Sequence, residues 1–312
     1  MHKHASVPRN SRHNAITRRG LIAASLGAGL TIPFGRGVTF AQESSPAGAI
    51  TAPANAVAWL KYNLNTASSE QFMGVPGAGE RLTREFEEYR PYTSIGQFRG
   101  ELGKYISPKE VAALEEYLFV PVDPNAADAG TLQQLPGVSA ETAQTLIAGR
   151  PYDAPDAFLT AVGALVAPEL VAAAETFLAP DAAETATWLK YNLDTASSEQ
   201  FMTIPGAGER MTREFEEYRP YTSTGQFRGE MGKYIAPEEV AALEKYLFVP
   251  VDPSQADTDT LQQLPGVTTE IAQALAGGGP YDSIDAFLSA LAAQIPPELA
   301  AIATGYVHVD GA

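Results

Sequence analysis

The chain is written twice. The run Trp59-Leu60-Lys61-Tyr62-Asn63-Leu64 returns as Trp188-Leu189-Lys190-Tyr191-Asn192-Leu193, and the offset of about 129 positions holds through the rest of the sequence. About 56 of the 65 positions from Trp59 to Asp123 recur unchanged between Trp188 and Asp252. A weaker repeat, offset by about 60, runs inside each half: Pro76-Gly77 matches Pro136-Gly137, Pro91-Tyr92 matches Pro151-Tyr152, and Phe98 matches Phe158. The second half continues it with Pro265-Gly266, Pro280-Tyr281 and Phe287. Residues 57–312 therefore read as four modules in the order A, B, A′, B′, at 57–120, 121–180, 186–249 and 250–309. A sixty-residue unit buries too little surface to be secure alone, so the modules are expected to pack in pairs, 57–180 and 181–312.

Each A-type module is built around a glycine turn. In Val75-Pro76-Gly77-Ala78-Gly79 two glycines one residue apart permit positive φ and close approach by another group. Behind it Leu82, Phe86 and Tyr89 recur at helical spacing, with Glu80/Arg84 and Arg84/Glu88 four apart on the other side. Ahead of it Thr66 to Met73 reads as a short helix with a Ser/Thr start.

Short helix, Gly-x-Gly turn and longer helix, flanked by Asn65-Thr66-Ala67 and Arg90-Pro91-Tyr92, resemble the helix-hairpin-helix motif of the competence protein ComEA family. A second hairpin would lie at Lys104 to Lys109, without that family's glycines. The resemblance implies an all-α protein of tandem paired hairpin modules in a duplicated two-domain array. Helices are expected near 66–73, 80–90, 94–102 and 108–118, repeated at both offsets, with almost no strand. Asp181 and Glu184 resemble a capping box, which predicts a helix carrying Trp188. Trp59 and Trp188 are expected as core anchors.

The resemblance also implies that hairpin backbone N–H groups hold a DNA phosphate with help from a nearby base. The matching residues are Gly77, Gly79, Arg81, Arg84, Lys104 and Lys109 in A, and Gly206, Gly208, Arg210, Arg213 and Lys233 in A′. Turn geometry alone would also require Gly77 and Gly206. Glu80 and Glu209 follow the turns directly, and B and B′ keep one glycine each and place Glu141 and Glu270 behind it.

Residues 1–41 read as an address. Thr17-Arg18-Arg19-Gly20-Leu21-Ile22 resembles a twin-arginine export signal, with cleavage expected after Ala41, and 42–56 reads as a flexible leader. The apolar run from Gly20 to Phe34 is shorter than the ~20 residues of a membrane span. The formal charge of the chain is −16. Cleavage would remove six basic residues and no acid, leaving about −22, which repels a polyanion.

The inventory offers little catalysis. The chain has no cysteine, and His308 is the one histidine outside the address. Nucleophile–histidine pairs and zinc sites are therefore not expected, nor any other metal or cofactor. Glu85, Glu87 and Glu88 read as a solvated helix face, and Asp252, Asp257 and Asp259 miss the Ca²⁺-loop spacing. The expectation is an exported, non-catalytic scaffold or accessory subunit that binds an envelope or extracellular protein. The candidate contacts are Arg90, Tyr92, Arg99, Arg219, Tyr221 and Arg228, because arginine and tyrosine are enriched at interfaces. A ComEA-like DNA-binding protein is the alternative.

Overall fold

The structure is a computed structural model that describes residues 55–179, 182 and 185–308; the proposed address, most of the leader, Asp181 and Glu184 lie outside them. Module A runs β1 (Ala56–Asn63), α1 (Ser69–Met73), α2 (Gly79–Glu88), α3 (Ile95–Leu102), α4 (Pro108–Leu114) and β2 (Leu118–Phe119). B follows with α5 (Ala129–Leu132), α6 (Ala140–Ala148), α7 (Pro155–Gly163) and α8 (Pro168–Glu175). A′ repeats A as β3 (Thr185–Asn192), α9 (Ser198–Met202), α10 (Gly208–Glu217), α11 (Thr224–Met231), α12 (Pro237–Glu244) and β4 (Leu247–Phe248). B′ repeats B as α13 (Thr258–Leu261), α14 (Thr269–Gly278), α15 (Ile284–Ala292) and α16 (Pro297–Ala303), ending in a 3-10 turn at Thr304–Tyr306.

The fold is not all-α. Among the described residues a four-stranded mixed sheet runs in the order β2-β1-β3-β4. The segments carrying Trp59 and Trp188 are its central strands, so the helix expected at Trp188 is a strand. They pair antiparallel, with Trp59 opposite Trp188. The physical reason is in the side chains. Thr185, Thr187, Trp188 and Tyr191, like Val57, Trp59 and Tyr62, suit a pleated surface buried on both sides. Eight residues would make little more than two turns of helix, and no apolar stripe at a 3.6 period marks one face of them.

The same closure ends every module. The chain entering a module pairs in parallel with the chain leaving it: Tyr62 with Leu118 in A and Tyr191 with Leu247 in A′. Single bridges, Val122 with Leu178 and Val251 with Val307, do this in B and B′. The sixty-residue repeat is thus a closed loop of four helices tied at its neck.

Inside a module the aromatic residues at helical spacing meet. Phe72 and Phe86 pack edge to face at 5.0 Å, and Tyr92 meets Phe98 at 5.8 Å; all four are at most 2% exposed. Each such side chain contributes about 2–3 kcal/mol by leaving water. Ser68 starts α1 with a capping box, its Oγ accepting from Gln71 N–H at 3.2 Å while Gln71 Oε1 accepts from Ser68 N–H at 2.7 Å. Asn63 Oδ1 accepts from Asn65 N–H at 2.9 Å and turns the chain out of β1.

The halves are interlocked across an approximate two-fold axis at the Trp59–Trp188 pair. Tyr62 of A donates to Glu298 Oε1 of B′ at 3.2 Å, and Tyr191 of A′ donates to Glu169 Oε1 of B at 3.3 Å. The ammonium of Lys190 lies 4.3 Å from the Trp59 ring centroid, and that of Lys61 lies 5.1 Å from the Trp188 ring. These are diagonal cross-strand contacts on one face of the pleat. The buried residues of both halves join in one core.

Candidate interaction surface

The residues singled out at the Arg-Pro-Tyr step belong to the interior of a module. Arg90 donates to Leu64 O at 2.5 Å and to Ala67 O at 2.6 Å, with its guanidinium 5.0 Å from the Phe72 ring. Arg219 repeats this on Leu193 and Ala196 at 2.5 and 2.6 Å. Arg150 does the same on Pro124 and Ala127. Burial lowers the Arg90 pKa. Tyr92 and Tyr221 are each 2% exposed, and their backbone N–H groups donate to Asn65 Oδ1 and Asp194 Oδ1. A partner cannot reach them. Arg99 closes a two-bond ion pair on Glu115 at 2.6 and 2.8 Å, and Arg228 binds Glu244 at 2.7 Å. Arg90 and Arg219 are thus spent on carbonyls of their own modules and Tyr92 and Tyr221 are buried, whereas Arg99 and Arg228, though paired with carboxylates, keep side chains 54% and 48% exposed.

The hairpins divide into two kinds. All six glycines at these turns take positive φ: Gly77, Gly79, Gly137, Gly206, Gly208 and Gly266. At Gly77, Gly79, Gly206 and Gly208 an added Cβ would meet nothing within 4 Å. At Gly137 it would strike Leu170 Cδ1 at 2.8 Å, and at Gly266 Leu299 Cδ1 at 2.9 Å. The B and B′ turns are therefore covered by α8 and α16, whereas the A and A′ turns stand bare. Helix α2 starts at Gly79 behind Ala78, which offers no side-chain cap, so its first N–H groups face outward uncapped. The Ala78 N–H itself is spent on Val75 O at 3.0 Å.

Beside each bare turn lies a cluster of cations and tyrosines. The Arg81 guanidinium sits 5.9 Å from the Tyr105 ring, and the Lys104 ammonium 5.2 Å from the Tyr89 ring. The hydroxyls of Tyr89 and Tyr105 share a hydrogen bond of 2.9 Å. That bond, with a further one to Glu85, raises the Tyr105 pKa. A′ repeats the cluster with Arg210 over Tyr234 at 5.2 Å, Lys233 over Tyr218 at 5.1 Å and a 2.9 Å bond between the two hydroxyls. Tyr105 is 37% exposed. Met73 and Met202, which end α1 and α9 just before the turns, are 47% and 52% exposed. Lys104 and Lys233 pair with Glu101 and Glu230. Arg81, Arg84, Lys109, Arg210 and Arg213 form no ion pair with any described residue and are open to solvent.

Of the sequence-derived candidates, then, the structure brings together Gly77, Gly79, Arg81 and Lys104, and likewise Gly206, Gly208, Arg210 and Lys233. It adds Tyr89 and Tyr105 with their repeats, and Met73 and Met202 are exposed at the ends of the helices that precede the turns. The signal of the tyrosines was present: Tyr89 and Tyr105 recur as Tyr218 and Tyr234, while B has Gly149 and Leu165 at those places and B′ has Gly278 and Gln294. No cluster of metal-ligating side chains occurs among the described residues, and none of their helices is long and apolar enough to cross a membrane.

No family model matches the chain, and neither the curated proteins nor the solved structures compared with it gave a match.

Proposed function

We propose that the protein is an exported, non-catalytic accessory subunit that binds another protein through the twin arginine–tyrosine–methionine patches of A and A′. The observation that carries this reading is the exposure of the same cluster in both halves. Arginine, tyrosine and methionine are the residue types enriched at protein interfaces. Two equivalent sites on one chain favour a repeated or two-fold partner, since linked weak sites gain 10²–10⁴ in avidity.

The ComEA-like alternative is favoured by one feature, the bare Gly-x-Gly turns of A and A′, whose uncapped helix starts resemble a phosphate cradle. Against it stand the −16 charge and Glu80 and Glu209 beside the turns.

One experiment separates the two. Photo-crosslinking residues at positions 105 and 234 should capture the same envelope protein, and Arg81→Glu with Arg210→Glu should abolish capture at unchanged melting temperature. Duplex DNA should bind no tighter than about 10⁻⁵ M at physiological salt. Submicromolar DNA binding lost in the same variant would reverse the ranking.

A further inference from the structure

Lys190 is 8% exposed and forms no ion pair. Its ammonium donates to Glu244 O at 3.3 Å and rests over Trp59. The carboxylates around it are engaged elsewhere: Glu244 on Arg228 at 2.7 Å, Asp259 on Arg228 at 3.6 Å, and Glu116 on Lys245 at 3.8 Å. An ammonium withdrawn from water without a carboxylate of its own is costly to hold charged. Burial accordingly lowers its pKa.

A cleft of about 330 Å³ opens beside this lysine, lined by Lys190, Thr224, Leu193, Phe227 and Gln262 among others. Thr224 is 5% exposed, and its hydroxyl has no hydrogen-bond partner. Lys190, whose ammonium is in no ion pair although Glu116 and Glu244 attract it, and Thr224, whose buried hydroxyl has no hydrogen-bond partner, thus line one opening. Each lacks what a carboxylate supplies, and neither observation depends on the other.

We propose that this cleft binds a small organic monocarboxylate. Its oxygens accept from the Lys190 ammonium and the Thr224 hydroxyl, and its carbon chain lies against Leu193 and Phe227. A single charge is specified because the other cations of the cleft, Arg228 and Lys245, are paired with Glu244, Asp259 and Glu116, which leaves one cation outside any ion pair for the ligand. The pseudo-symmetric cleft, about 340 Å³ at Lys61, carries Ile95 where Thr224 stands. It offers the cation without an unpartnered hydroxyl, its Ser139 being bonded to Thr142, and serves as an internal comparison. The proposal is independent of the twin patches, which lie at the hairpins.

Calorimetric titration of the full chain with butanoate at constant ionic strength tests it. Saturable binding with a Kd of a few mM is expected, weakened about tenfold or more by Lys190→Met. Thr224→Ile, which installs the residue already present at position 95, should keep the fold and weaken binding severalfold. Three results would overturn the proposal: no saturation up to about 100 mM, undiminished binding by both variants, or inorganic phosphate binding as tightly as butanoate.

Discussion

Lys245 Nζ lies 3.8 Å from Glu116 Oε1, and the two residues occupy the same position of the two halves. Around an approximate two-fold axis, identical halves would set like charges against each other here. The substitution of lysine for glutamate at one copy turns that repulsion into attraction, so each half is marked to meet the other.

The pair is partly exposed, at 49% and 30%, and so contributes no more than about 1 kcal/mol. Lys245→Glu should lower the melting temperature by a few degrees at low salt. Adding Glu116→Lys should restore it, which differential scanning calorimetry of the three chains can decide. No recovery in the double variant would mean the two charges do not interact.

Arg90 and Arg219 each tie two carbonyls, and the charged donors are partly withdrawn from water. Arg90→Ala with Arg219→Ala should cost about 2 kcal/mol per site. Urea unfolding would show the loss as a lower midpoint. An unchanged midpoint would release these residues for an external role.

The two kinds of hairpin predict unequal costs. Gly77→Ala meets open space, so only the positive φ of 83° is penalised, by about 1–2 kcal/mol. Gly137→Ala adds a clash with Leu170 and with the Val166 Cβ at 3.3 Å, and should be the more destabilising of the two. Equal losses in thermal unfolding would show that the B turn is not packed as described.

Burial lowers the Lys61 pKa from 10.5 to about 8, with Glu116, Lys245, Glu115 and Lys190 facing it. Between those two values the unfolded chain holds a proton that the folded chain has lost, so stability should rise with pH from about 8 toward 10. The hydroxyls of Tyr117, Tyr246 and Tyr306, raised by burial, act oppositely: their contribution is complete below pH 10 and is lost above it. Melting temperature should therefore peak between about pH 9 and 10. Lys61→Met should flatten the rising side, and an unaltered profile would show that Lys61 does not titrate in this range.

Much of the helical architecture could be read from the chain because its determinants are local. Ser68, Ser94 and Ser107 cap helices close to where starts were expected, and Phe72, Phe86 and Phe98 fall on buried faces at helical spacing. The sheet could not be read this way. The partner of Trp59 is Trp188, and no window of local sequence contains both. The repeat located every equivalent residue without revealing that equivalent residues would touch. The Arg90 and Tyr92 pattern misled for a related reason: arginine and tyrosine suit an interface, but carbonyls twenty-three and twenty-six residues away claim the guanidinium first. Tyr89 and Tyr105 were visible as repeats confined to A and A′, and only the fold placed them beside Arg81 and Lys104.

Strand β1 is made early and waits for β3, whose residues lie about 129 positions downstream. Until they arrive, the first half displays an unpaired edge of Val57, Trp59 and Tyr62, which any other β1 or β3 can also satisfy. Nascent or truncated chains should therefore exchange strands with their neighbours. The concentration of half-made molecules, more than the stability of the finished one, would then set how cleanly this protein folds.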